Sequence, residues 1–129
     1  MREAVGFILV KDGSFLAELR KETKQLDPGT VAIPGGHIED GEDAETALRR
    51  EMMEELSIVP IDHGYVSTKV HHSIYDIRIH FFSVTAWAGE IQANEAEELM
   101  WIPFENRKEL ALKADLAAVD DYIGSIGRG

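Results

Sequence analysis

Residues 36–58 read GHIEDGEDAETALRREMMEELSI, and the placement of acids in this stretch decides how the chain is understood. On a helix turning about 100° per residue, Glu51, Glu54 and Glu55 fall within one sector of roughly 100° that overlaps the apolar stripe of Ala44, Ala47 and Leu48. Three carboxylates thus point where a core-facing helix should be apolar. An ionised carboxylate is destabilised by burial unless a cation or strong donors replace its water, so an ordinary surface helix keeps its acids on the far face. A divalent metal site accounts for the pattern.

The acids are also concentrated. Of the chain's 24 acidic residues, Glu39, Asp40, Glu42, Asp43, Glu45, Glu51, Glu54 and Glu55 lie in this segment, against only Arg49 and Arg50. A solvated face would explain a scattered acidic run, but not three acids turned inward. The formal net charge of −11 gives no attraction for a phosphodiester backbone, so no nucleic acid polymer is expected as a partner. With 129 residues and 44% apolar content, the sequence suits one domain with one core, spanning 1–129. The lack of cysteine excludes disulfides, thiolate metal sites and cysteine nucleophiles, and favours an intracellular compartment. No apolar run approaches the roughly 20 residues that cross a bilayer. The N-terminal MREAVGFILVKDG is too short and too soon charged for a secretory signal. A cytoplasmic protein without membrane contact is expected.

Ahead of the acidic stretch, Ala4 to Val10 and Ser14 to Leu19 are strand patterns joined by the turn Lys11-Asp12-Gly13. Arg20, Lys21 and Lys24 follow at a strand end, where ligand contacts are common, and Arg20 is the first candidate for an anionic phosphate. After the turn Leu26-Asp27-Pro28-Gly29 comes a short apolar run, Thr30 to Ile33, and then Pro34-Gly35-Gly36, read as a loop whose bare main chain lets a ligand approach. The helix is expected from Asp43, as N-cap, to about Leu56. Beyond it, Tyr65 to His72 and Tyr75 to Trp87 are two long strand patterns, with Ile77, Ile79 and Phe81 alternating against Arg78, His80 and Phe82. One face should pack on the core and the other line a pocket. Phe82 is the candidate for stacking on a nucleobase, with plain core as the alternative. No histidines are spaced for zinc.

Gly36, five residues, Glu42, seven residues, and then Arg50-Glu51-Met52-Met53-Glu54-Glu55-Leu56-Ser57-Ile58 resembles the signature of the Nudix hydrolases at every fixed position but one. The exception is Ser57, where the family has glycine in a left-handed conformation; serine costs on the order of 1 kcal/mol there. The resemblance implies an α/β protein with the Nudix fold, an α/β/α sandwich around a mixed β-sheet. It implies that Glu51, Glu54 and Glu55 hold one or more Mg²⁺ ions, or Mn²⁺, with the carbonyl of Gly36 helping, while Arg50 pairs with Glu42 as a brace. Oxygen ligands suit such hard ions, which bridge carboxylates to phosphates.

The implied reaction is attack of water on a phosphorus of a nucleoside diphosphate derivative. Glu51 is the first choice of base, with a downstream loop acid as alternative: Glu98 ahead of Glu95, in the run that also holds Glu97. The segment around Asp115 is similar to one in MutT-type members, where a polar residue reads the base edge; an N-cap is the alternative role. The expected substrate is a small nucleotide, a nucleoside triphosphate (oxidised or noncanonical forms included) cleaved to monophosphate and pyrophosphate. Alternatives are a dinucleoside polyphosphate, a nucleotide sugar or ADP-ribose, or a noncatalytic nucleotide-binding regulator. Family members of this size often form a homodimer, although no apolar stripe in the sequence marks an interface.

Overall fold

A computed structural model describes residues 1–127. Seven strands and two α-helices are found among them: β1 (Arg2–Lys11), β2 (Ser14–Leu19), β3 (Val31–Ala32), β4 (Gly35–His37), α1 (Ala44–Leu56), β5 (Val59–His72), β6 (Asp76–Ala88), β7 (Glu98–Pro103) and α2 (Lys113–Ile126), with a 3-10 turn at Phe104–Glu109. The strands run in the order β3-β2-β1-β6-β5, with β4 also on β1 and β7 also on β2. β1 and β6 pair in parallel, Phe7 opposite Phe82, and the other pairs are antiparallel. The sheet is therefore mixed, as expected, with one helix on each face.

Alternation along β1 builds both layers. Val5, Phe7 and Leu9 pack with Ala47, Leu48, Met52 and Leu56 of α1, while Ile8 packs with Phe15, Phe81, Ala118, Val119 and Tyr122 on the α2 side. Asp43 caps α1 as expected, its carboxylate accepting from the Thr46 N–H at 2.8 Å. Among the described residues no helix is long and apolar enough to cross a membrane.

Several boundaries differ from expectation. Gly35 and Gly36 lie within a strand rather than a loop, with Gly35 opposite Gly6 and Gly36 opposite Val5. β5 begins at Val59, before the expected Tyr65. Pro60 is tolerated because β5 is an edge strand, and register shifts at Pro60, Asp62 and Tyr65 hide its alternation. The sequence reads a final amphipathic helix over Asp115 to Ile123, ending at Gly124; α2 instead runs from Lys113 to Ile126, so Asp115 sits inside its first turn and is not its N-cap. The sequence reads Ile126 to Gly129 as a frayed tail; Ile126 instead ends α2, Gly127 is its C-cap, and 128–129 lie outside the described residues.

The Gly-Gly pair is required by close approach. A Cβ on Gly35 would lie 2.1 Å from the backbone oxygen of Val5, and one on Gly36 would lie 2.0 Å from the Glu51 carboxyl carbon. The first obstacle is backbone and cannot turn aside; the second is the end of a side chain. Gly35→Ala is expected to destabilise the fold by about 1–3 kcal/mol, with Gly36→Ala costing clearly less. Urea unfolding of the two variants, compared at equal slope, checks the ranking.

Candidate active site

A cleft of ≈ 400 Å³ opens between the end of α1, strand β4 and the start of α2. Glu51, Glu54 and Glu55 all line it, together with Gly36, Glu39 and Glu95. Its other walls are Ile33, Ile77, Ile79 and Phe81, with Arg20 and Asp115. One end is therefore acidic, and much of the rest is apolar.

Arg50 organises the acidic end. Its Nε and Nη2 donate to the two oxygens of Glu42 at 2.7 and 2.8 Å, and Nη2 also donates to the His37 carbonyl at 2.9 Å. Nη1 donates to Glu51 at 2.8 Å and to Glu54 at 3.2 Å. The geometry is the planar fork that a guanidinium offers and an ammonium cannot. Hydrogen bonds from Arg50 and then from the Glu39 N–H hold the Glu42 carboxyl down to about 2. The brace expected between Arg50 and Glu42 is present.

The remaining carboxyls are crowded. Burial, above all, raises Glu51 despite its hydrogen bond from Arg50. Burial also raises Glu55, reinforced by a hydrogen bond with Glu95 and by the nearby charges of Glu18, Glu95 and Glu51. Among the described residues no three His, Asp or Glu side chains converge on one point. Glu51 and Glu54 each turn an oxygen to Arg50, and Glu55 turns to Glu95. The three glutamates of the helix, expected to hold a metal, therefore share one cleft wall without forming a closed cage.

Glu95, not Glu98, is the loop acid at this site. Glu98 is exposed in β7 opposite Leu19 and does not line the cleft. The preceding loop is pinned to the C-terminal end of α1: Gln92 N–H donates to Leu56 O at 2.9 Å, Asn94 N–H to Glu55 O at 3.2 Å, and Asn94 Nδ2 to Glu54 O at 3.0 Å. These bonds satisfy carbonyls the helix end leaves free and swing Glu95 toward Glu55. Ser57 adopts the left-handed conformation that the family's glycine takes, φ 61° and ψ 33°. Its hydroxyl accepts from Asn94 Nδ2 at 2.8 Å, so the substitution adds a tie to the same loop.

Phe82 is core. It packs with Leu9, Leu48 and Met52 on the α1 side of the sheet, so it cannot stack on a ligand in the cleft. Alternation turns its neighbour Phe81, with Ile77 and Ile79, to the cleft instead. Arg20 lines the cleft, held by Nε to Leu26 O at 3.0 Å and by Nη1 to Glu18 at 3.0 Å. Glu18, 4% exposed, was not singled out by sequence. The available signal was of the same kind as in α1: Leu16 and Glu18 share a strand face, so an acid stands where an apolar residue belongs. His37 was also missed; it lines the cleft and bonds the Tyr75 hydroxyl at 3.1 Å.

Asp115 is 3% exposed, and its Oδ2 accepts from the Ile33 N–H at 2.9 Å. Burial pushes its carboxyl up to about 7, against the lowering effect of that bond. A carboxyl raised in the fold binds its proton more tightly folded than unfolded, so it weakens the fold as pH rises from about 4 through about 7. Asp115→Asn keeps an acceptor for Ile33. It should raise stability by on the order of a few kcal/mol at pH 8 and by little at pH 4, read as the difference in thermal midpoint across pH. A second expectation concerns the brace: Arg50→Lys should fold but lose about 10–100-fold in kcat/KM, measured beside circular dichroism.

The family model for the NUDIX domain matches residues 1–122. The chain is 34% identical over 122 residues to the CTP pyrophosphohydrolase of Escherichia coli K12, covering 93% of this chain and 86% of that protein. It is 37% identical over 101 residues to the 8-oxo-dGTP diphosphatase of the same strain, covering 77% of each. The solution structure of the E. coli ORF135 protein superposes with a TM-score of 0.81 at 30% identity, over 96% of this chain and 89% of that one. A MutT NUDIX hydrolase from Burkholderia pseudomallei shares the fold, with a TM-score of 0.83 at 24% identity, over 93% and 96% of the two chains. The chain belongs to the Nudix family. It is a pyrophosphohydrolase of that family, acting on an acid anhydride.

Proposed function

We propose that this enzyme hydrolyses a nucleoside triphosphate, oxidised or noncanonical forms included, to the monophosphate and pyrophosphate, with residues 1–129 acting as one Nudix domain. The observation that carries the reading is the polarity of the cleft. Crowded carboxyls at one end suit phosphates only when a cation lies between them, while Ile33, Ile77, Ile79 and Phe81 suit a nucleoside. The names of the E. coli relatives, a CTP pyrophosphohydrolase and an 8-oxo-dGTP diphosphatase, support a triphosphate substrate.

The residues fit Mg²⁺. All candidate donors are hard oxygens, from Glu51, Glu54, Glu55 and the Gly36 carbonyl, and the bare Gly36 leaves room for the Glu51 carboxyl against the main chain. When bound, the ion neutralises phosphate oxygens and acidifies water. Arg50 holds one oxygen of Glu51 and one of Glu54, so an ion would draw on the second oxygen of each carboxyl. Arg20 meets the anionic or base portion of the substrate. The proton of the attacking water passes to a carboxylate of the cleft, with Glu51 and Glu95 both placed there. Asp115, which lines the far wall, is the residue we assign to reading a base edge. A second reading, a substrate with a larger group beyond the phosphates, is favoured by Tyr75, which stands behind the cleft residue His37: its hydroxyl bonds His37 and its ring lies 4.1 Å under the Arg2 guanidinium.

Pyrophosphate and phosphate release over a panel of nucleoside triphosphates, nucleotide sugars and dinucleoside polyphosphates with Mg²⁺ tests the proposal. Triphosphates should be cleaved fastest, with pyrophosphate as product; preferred cleavage of another class would overturn the substrate reading. Glu55→Gln should fold normally and lose turnover by at least about 100-fold, with weaker Mn²⁺ binding by calorimetry. Glu95→Gln should be slowed while Glu98→Gln is not.

A further inference from the structure

Between β2 and β3 the chain leaves the sheet and returns through a narrow neck. Gly29 N–H donates to Arg20 O at 3.0 Å, Arg20 N–H to Thr30 O at 2.9 Å, and Thr30 Oγ1 to Asp27 O at 2.7 Å. The loop so closed does not stand free in solvent. It reaches across to the end of β5 and the turn into β6, over 40 residues further along the chain: Asp27 Oδ2 bonds His71 Nε2 at 2.9 Å, and Oδ1 accepts from Ser73 Oγ at 3.1 Å. These are sheltered contacts, with the His71 and Asp27 side chains 11% and 19% exposed. Asp27 is also held at φ 47°, a conformation few non-glycine residues adopt, so the contact is made against a local cost.

The bridge belongs to the cleft. Leu26, Asp27 and His71 line it, and His71 stands opposite Ile77 in the β5–β6 ladder, at the apolar part of its wall. On its other side the same loop approaches the acidic part, where Lys24 Nζ lies 4.0 Å from Glu95. Arg20 is bonded to it through Leu26 O. A segment tied to the rest of the fold by a few side-chain contacts opens far more cheaply than the core beneath it.

We propose that residues 21–29 form a clasp over the nucleoside part of the cleft, and that Asp27 is its catch on His71 and Ser73. These three are positioning residues: a nucleotide touching Arg20 and Leu26 favours the closed clasp, so the strength of the catch enters its affinity. The catch touches neither α1 nor the Arg50 brace, so it should not enter the chemical step. The assignment to a nucleoside rests on the function proposed above; the clasp itself does not.

Trypsin provides a readout independent of substrate, because Arg20, Lys21 and Lys24 lie in or at the loop. Asp27→Ala should be cut after Lys21 or Lys24 about tenfold faster than the wild type in limited digestion followed by mass spectrometry. It should also raise KM for the best triphosphate of the panel by about tenfold, with kcat within about twofold. Asp27→Asn, which can still bond Ser73, should recover part of both effects. Ser73→Ala, which removes one bond from outside the cleft, serves if Asp27→Ala does not fold, and should show the same changes in smaller degree. Unchanged cutting in these variants overturns the clasp. Faster cutting with unchanged KM overturns the positioning role. A wild type that cleaves no triphosphate, yet shows faster cutting in the variants, overturns the proposed function and leaves the clasp standing.

Discussion

The five hydrogen bonds of Arg50 are the constraint on which the rest of the site depends. One guanidinium joins the loop before α1 through Glu42, strand β4 through the His37 carbonyl, and the helix through Glu51 and Glu54. Without that charge, acids on the inward sector of α1 would repel one another beside an apolar core. With it, the helix can bury Ala47, Leu48 and Met52 against β1 and still present carboxyls along one edge of the same face.

Backbone geometry makes room for this arrangement. Gly35 lets β4 lie against Val5, and Gly36 lets the Glu51 carboxyl rest where a side chain would otherwise project. The acidic crowding that results appears as raised protonation at Glu51 and Glu55, caused first by burial. Asp115 obeys the same physics at the opposite wall, where one N–H from Ile33 offsets part of the cost. Such sites are held by the surrounding fold at the expense of local stability.

Ser57 illustrates how a departure from the family pattern is absorbed. The left-handed turn persists, and the hydroxyl joins Asn94 in securing the loop that carries Glu95. This explains why Glu95 reaches the cleft although Glu98 stood ahead of it on sequence grounds: strand pairing with Leu19 captures Glu98, while the free carbonyls at the end of α1 capture the residues before it.

The chain's local chemistry by itself determined the α1 helix, its Asp43 cap, the inward sector of Glu51, Glu54 and Glu55, the brace of Arg50 and Glu42, and the family, because all depend on spacing within a few turns of one segment. Periodicity also separated Ile77, Ile79 and Phe81 from Phe82, but could not say which set meets the cleft. That choice waited on the parallel pairing of β1 with β6 and on the helix covering each face. Tertiary structure alone selected Phe81 over Phe82 and Glu95 over Glu98, buried Asp115 against Ile33, placed Glu18 behind Arg20, and joined Asp27 to His71. Each is a contact between segments distant in sequence, and no local pattern encodes the partner that a side chain meets only after the sheet has assembled.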